Sequence, residues 1–204
     1  MTWQPLAVPG AYRVTQQVFG DPRGAFLEWF RAAELEEVTG RRFDLRQANL
    51  SVSAAGVLRG VHFADVPPGQ AKYVTCVAGA VLDVVVDLRV GSPTFGTWDS
   101  VLLDDTSRDA IFVAEGLGHA FLSLEDGSVV TYLCSAPYRP SGEHGVHPLD
   151  PELGIAWPTA GRDGRPLKLV LSAKDEAAPS LAEALSAGLL PDANGVADFV
   201  ARLG

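Results

Sequence analysis

The chain has 204 residues, 47% hydrophobic, 20% charged and 8% aromatic, enough to close a sizeable core as one domain and too few for two full ones. With 16 basic and 25 acidic residues it carries a net charge of −9, which argues against a general phosphate-backbone binder and against an anionic membrane surface. The opening MTWQPLAVPG lacks the basic start and apolar run of a secretion signal, and the most apolar stretch, residues 81–88, is broken by Asp83 and Asp87. A soluble cytoplasmic protein with no nucleic-acid or membrane partner is therefore expected.

Apolar runs punctuated by Gly and Pro give the layout of an all-β sandwich or barrel. In chain order, a strand is predicted at 24–30, a short helix at 31–38 closed by Gly40, and strands at 47–53, 57–63, 71–77, 81–88, 98–103, 110–113, 119–124 and 129–135. Ser180 and Glu183 form a capping box that opens a helix ending near Gly188, and residues 195–203 suggest another. The chain thus reads as one domain, 1–204, with a helical segment from about residue 180.

Alternation places Leu82, Val84, Val86 and Leu88 on one face of their strand, expected to be core, and Val81, Asp83, Val85, Asp87 and Arg89 on the other, expected to carry charge. The same parity groups Lys72 with Val74 and Cys76, Val130 with Tyr132 and Cys134, and His119 with Phe121 and Ser123. Inward polar residues from several strands of a small barrel mark a ligand cavity rather than a packed interior. Cys76 and Cys134 lie in apolar runs without C-x-x-C spacing and read as buried free thiols.

The densest polar segment runs from Asn49 through Arg59, His62 and Gln70 to Lys72, the only lysine before Lys168. Arg59 and His62 have opposite strand parity, but a bulge at Gly60 would turn both to one side. Taken alone, His62 is an ordinary strand histidine; with Arg59 and Lys72 nearby in sequence it becomes a candidate for chemistry. The stretches around His62 and His119 look like the two histidine-bearing stretches of a cupin, which usually hold a metal. Here the first has one histidine and no Glu at the expected short distance, His144 and His147 read as surface residues, and no metal or other cofactor is expected.

Several ordered blocks carry a family resemblance. They are Asp21-Pro-Arg23-Gly24-Ala-Phe26-Leu-Glu28, Gln47-Ala-Asn49, Arg59-Gly-Val-His62-Phe63, Gln70-Ala-Lys72-Tyr73, Asp83 through Gly96, Tyr132…Tyr138…Glu143, Asp150 through Pro158, and Lys174-Asp175. In this order they closely resemble the dTDP-4-dehydrorhamnose 3,5-epimerase family of cupins. The resemblance implies a mainly β jelly-roll barrel with a few peripheral helices, and epimerisation of a dTDP-4-keto-6-deoxyhexose beside its C4 ketone. It makes His62 the base, Asp175 the carboxylate that orients it, Lys72 the cation for the enolate oxygen and Tyr132 the acid on the opposite face. Arg23, Phe26, Glu28, Gln47, Asn49, Arg59, His119, Glu143 and Lys174 match substrate contacts, and Tyr138 matches the aromatic that stacks on thymine.

A homodimer is also implied, in which Arg23 and Glu28 serve the partner's site. Where many members read Ala-His-Gly-Phe, this chain reads Gly118-His119-Ala120-Phe121, a change expected to retune the cavity wall. It also fits members from antibiotic-sugar pathways that invert only C3 or only C5. A nucleotide-sugar 3,4-ketoisomerase and a cupin that binds without turnover are the other readings, and the order of motifs favours the epimerase.

Overall fold

A computed structural model describes every residue from Met1 to Gly204. The strands are β1 (Thr2–Pro5), β2 (Ala11–Thr15), β3 (Phe19–Asp21), β4 (Gly24–Phe26), β5 (Gln47–Ser53), β6 (Leu58–Ala64), β7 (Lys72–Ala78), β8 (Ala80–Asp87), β9 (Trp98–Asp104), β10 (Ala110–Val113), β11 (Leu117–Ser123), β12 (Ser128–Cys134) and β13 (Glu143–Gly145). The helices are α1 (Ala32–Thr39), α2 (Ala173–Glu176), α3 (Leu181–Ser186) and α4 (Ala193–Ala201).

Six strands pair in the order β1-β2-β10-β7-β12-β5 and five in the order β13-β6-β11-β8-β9, all antiparallel within each sheet. The two sheets face each other across one apolar cluster that draws Val74, Cys76, Ile111 and Val130 from the first and Val81, Val85, Val101, Leu103 and Phe121 from the second. This is the jelly-roll sandwich of a cupin.

The parity assignments hold for β7, β11 and β12, whose inward sets include Val74 and Cys76, Phe121, and Val130. On β8 the expectation of one core face and one charged face fails, because both faces are buried. Val81 and Val85 point inward beside fully buried Asp83 and Asp87, whereas Val84, Val86 and Leu88 lie under Val146, Leu153, Leu181 and Ala184 of the later chain. A sheet covered on both sides has no solvent face, so its carboxylates must find partners inside the protein.

The outer face of the six-stranded sheet is covered over only part of its width. Leu35 of α1 and Phe43 pack on Tyr73, Phe112 and Leu133, while Leu50 and Val52 on edge strand β5 stay 63% and 60% exposed. α1 stops where Gly40 takes the left-handed conformation at φ 68° and returns its N–H to Glu36 O. The capping box of Ser180 and Glu183 opens α3, and Asp192 caps α4.

Some elements differ from the sequence reading. The strand expected at 24–30 shortens to Gly24–Phe26, which pairs only with β3 in an exposed hairpin. β1, β2, β3, β13 and the four-residue α2 are too short or too irregular in polarity to show a period. His144 and His147, read as surface residues, are each partly buried, His144 tilted against Phe63 and 2.7 Å from Asp65 Oδ1.

Asp87 closes β8 and ties down the loop after it. It accepts from Arg89 Nε and Nη2 at 2.8 Å each and from the hydroxyls of Ser92 and Thr94 at 2.6 Å each, and Arg89 reaches on to Pro9 O. Burial works to raise this carboxyl, but the bonds from Arg89, Ser92 and Thr94 outweigh it and bring the pKa down to about 2. A carboxyl depressed on folding contributes stability that is present above its unfolded value near 3.8 and disappears as pH falls towards 2. Asp87→Asn is expected to cost about 2 kcal/mol at pH 6, with the gap to wild type narrowing by pH 3, as read by denaturant unfolding at the two pH values.

Candidate active site

The bulge expected at Gly60 is present: β11 pairs His119 with His62 but Phe121 with Arg59, so β6 fits three residues where β11 has two. Directly opposed residues share a face, and Phe121 belongs to the interior cluster, so Arg59 and His62 leave β6 on the interior side, His62 half-buried and Arg59 exposed at the rim, while Val61 and Phe63 turn out. Gly60 adopts φ 115°, and a β-carbon there would lie 2.6 Å from the His119 carbonyl oxygen, so no other residue fits the crossing.

Asp175 meets His62 from 113 positions away in sequence, with His62 Nε2 donating to Asp175 Oδ1 at 2.6 Å. The carboxylate sits on α2, where Ser172 caps the helix by accepting from Asp175 N and donates its hydroxyl to Oδ2 at 2.9 Å. Burial pushes the Asp175 carboxyl up, but His62, Ser172 and the Gly60 N–H more than offset this and hold it below the ordinary carboxylate range. An ionised carboxylate accepts from Nε2–H, which in the neutral imidazole leaves the second ring nitrogen with its lone pair.

The facing sheet supplies Lys72, Tyr132, Cys134, Gln47 and Asn49. Lys72, 9% exposed, opens β7 opposite Cys134, and Tyr132 on β12 pairs with Asn49 and Val74. Burial raises the Tyr132 phenol above its usual value, so it stays protonated at neutral pH. Cys134, pushed up by burial to about 11, is a thiol that accepts from Asn49 Nδ2 at 3.6 Å. Gln47 donates to Asn49 Oδ1 and accepts from Tyr138 N, both at 2.8 Å, while the Tyr138 ring stays 53% exposed. Arg59 is held by Ser53 Oγ at 3.2 Å, and Glu143 opens β13 beside β6.

His119 lies on the same wall with Nε2 at 2.9 Å from both oxygens of Asp83. Burial raises the Asp83 carboxyl, and the charges of His119 and Lys72 oppose that rise. Asp83 and Ser172 are the two residues of this site that sequence analysis missed. For Asp83 the signal was available: a carboxylate inside a Val-rich run needs a buried partner.

Four candidates lie apart from this cluster or at its rim. Arg23 and Phe26 are on the exposed β3–β4 hairpin, where Arg23 pairs with Asp21 at 2.5 Å, and Glu28 pairs with Arg31. Lys174 is exposed on α2 next to Asp175. Gly118 and Ala120 do not line the cavity: they alternate with His119, Ala120 packs with Val61 and Val84 beneath the later chain, and the expected retuning of the cavity wall has no direct route.

The family model described as dTDP-4-dehydrorhamnose 3,5-epimerase matches residues 5–183. The chain belongs to the dTDP-4-dehydrorhamnose 3,5-epimerase family. It is 60% identical over 191 residues to a Mycolicibacterium smegmatis dTDP-4-dehydrorhamnose 3,5-epimerase, covering 94% of this chain and 91% of the relative. A Streptomyces niveus dTDP-4-dehydrorhamnose 3-epimerase is 56% identical, covering 94% and 89%. The solved structure of the Mycobacterium tuberculosis rmlC epimerase superposes with a TM-score of 0.95 at 51% identity, covering 100% of both chains. The protein is therefore an isomerase of the cupin epimerase type, and no helix in it is long and apolar enough to cross a membrane.

In this epimerase, Ser172 both caps α2 and bonds the carboxylate that holds His62. Ser172→Ala is expected to cost about 1 kcal/mol in urea unfolding and to lower kcat by less than about tenfold, because the His62 bond to Asp175 survives.

Proposed function

We propose that the protein inverts both C3 and C5 of a dTDP-4-keto-6-deoxyhexose without a cofactor. One observation carries this reading: the carboxylate-anchored His62 shares one barrel interior with the Lys72 ammonium and the protonated Tyr132. A proton beside a ketone is acidic because the carbonyl oxygen takes the resulting electron pair as an enolate. His62 accepts that proton through its free nitrogen while Asp175 stabilises the imidazolium. Lys72 lies where positive charge stabilises the enolate oxygen, with His119 held on the same wall by Asp83. Tyr132 returns a proton to the carbon from the opposite face, and solvent restores both groups before the second centre reacts.

Arg59, Gln47, Asn49, Glu143, Lys174 and Tyr138 bind the nucleotide diphosphate, with guanidinium for phosphate and the exposed Tyr138 ring for thymine. The remaining contacts come from a second copy of the chain in a homodimer. Leu50, Val52 and Val77 leave an apolar face on the six-stranded sheet, with a groove of about 500 Å³ lined partly by Leu27 and Trp29. The adjacent hairpin exposes Phe19 and Phe26, the latter by 67%, as expected of an arm that docks elsewhere. Arg23, Phe26 and Glu28 then complete the partner's site.

Proton NMR of dTDP-4-keto-6-deoxyglucose in deuterium oxide is expected to show exchange at C3 and C5, with inversion at both after reductive trapping. Inversion at one centre would make this a monofunctional epimerase, the activity in the name of the Streptomyces niveus relative. His62→Ala is expected to abolish exchange and keep dTDP binding, and Tyr132→Phe to uncouple proton removal from its return. Normal inversion in either variant would overturn the assigned role.

The shared site makes a separate prediction. Arg23→Ala and His62→Ala are each expected to be inactive alone, yet to recover about a quarter of wild-type activity when unfolded and refolded together in equal amounts. Half of the dimers are then mixed, and each mixed dimer has one intact site of two. No recovery would place Arg23 in its own chain's site.

A further inference from the structure

The β6 bulge that aims His62 rests on two small residues of β11 that no part of the mechanism uses. A β-carbon on Gly60 would lie 2.6 Å from Ala120 Cβ and 2.7 Å from Ala120 Cα, so the Ala120 methyl fills the space beside the Gly60 backbone. A β-carbon on Gly118 would lie 2.6 Å from Val61 Cγ1 and 2.8 Å from Leu88 Cδ1, so the bare glycine is what lets Val61 seat against β11. The Gly60–Val61 segment thus packs beside the Ala120 methyl at one residue and over the bare Gly118 at the next. Both contacts lie on the outer face, where Val61 and Ala120 are buried together. His62, one residue beyond this segment, carries the 2.6 Å bond to Asp175, so the segment sets the position of the base against its carboxylate.

We infer that Ala120 and Gly118 are positioning residues that set how evenly His62 serves the two carbons flanking the ketone. The inference rests on the epimerase reading above. One imidazole must come within hydrogen-bond reach of C3 and of C5, which lie on opposite sides of the C4 carbonyl, so a movement that shortens one approach lengthens the other. A close-packed layer transmits the loss or gain of a single methyl group to the backbone it supports. Removing the Ala120 methyl frees Gly60 to settle towards β11, and adding one at Gly118 pushes Val61 away from it. Neither side chain touches the sugar, so binding of the nucleotide is unaffected.

The test is the ratio of C3 to C5 solvent exchange, followed by proton NMR in deuterium oxide for wild type, Ala120→Gly, Ala120→Ser and the double variant Gly118→Ala/Ala120→Gly. Leu153→Ala, in the same buried layer but outside the Gly60–Ala120 and Val61–Gly118 contacts, controls for general loosening. Ala120→Gly and the double variant are expected to shift the ratio by at least about threefold with dTDP affinity unchanged, Ala120→Ser to stay near wild type, and Leu153→Ala to lower Tm without moving the ratio. An unchanged ratio in both Ala120→Gly and the double variant, or an equal shift in Leu153→Ala, overturns the inference. If the double variant fails to fold, Ala120→Gly against Ala120→Ser decides alone. Absence of exchange in wild type is a different result, and it would count against the epimerase reading itself.

Discussion

The bond between His62 and Asp175 depends on a single extra residue in β6. Without the bulge at Gly60, strand alternation would send either Arg59 or His62 out of the barrel, and the carboxylate on α2 would face no imidazole. The bulge in turn requires a residue without a side chain, because β11 passes too close for a β-carbon. Around it, Ser172 and the Gly60 N–H hold Asp175 ionised against the cost of its burial. The proposed base is thus defined by backbone geometry first and by charge second.

Covering the five-stranded sheet on both faces has a further consequence for the site. It places Asp83 and Asp87 where no water reaches, and each resolves the problem differently. Asp87 gathers enough donors to stay strongly ionised and serves the fold, whereas Asp83 has only His119 within bonding distance and the charge of Lys72 nearby. The two carboxylates share a strand and a face, and the number of donors aimed at each separates a structural anchor from a member of the active-site wall.

The six-stranded sheet has the opposite character. Its outer face is covered by α1 together with Trp29, Phe30 and Phe43 only as far as Leu133, and the hairpin carrying Arg23 and Phe26 pairs with no other strand and stays exposed. A molecule that leaves apolar edge residues uncovered beside a hairpin with Phe19 and Phe26 exposed has an incomplete surface in that region. The homodimer of the proposed mechanism covers that surface.

Much of this protein was legible in its sequence. Period-two alternation placed Lys72, Val74 and Cys76 on one side of β7 and Val130, Tyr132 and Cys134 on one side of β12, because the pleat allows only two directions. The glycine between Arg59 and His62 announced the bulge, and Ser180 with Glu183 announced α3, because both rest on local backbone chemistry. Burial was not legible in the same way. That both faces of β8 are covered, that Gly118 and Ala120 look away from the cavity, and that Asp83 closes on His119 depend on segments distant in sequence packing over the sheet. The blocks of the chain by themselves determined the family and the set of candidate groups; only the tertiary structure decided which groups meet, because a strand's sequence specifies its two faces but not what lies against each.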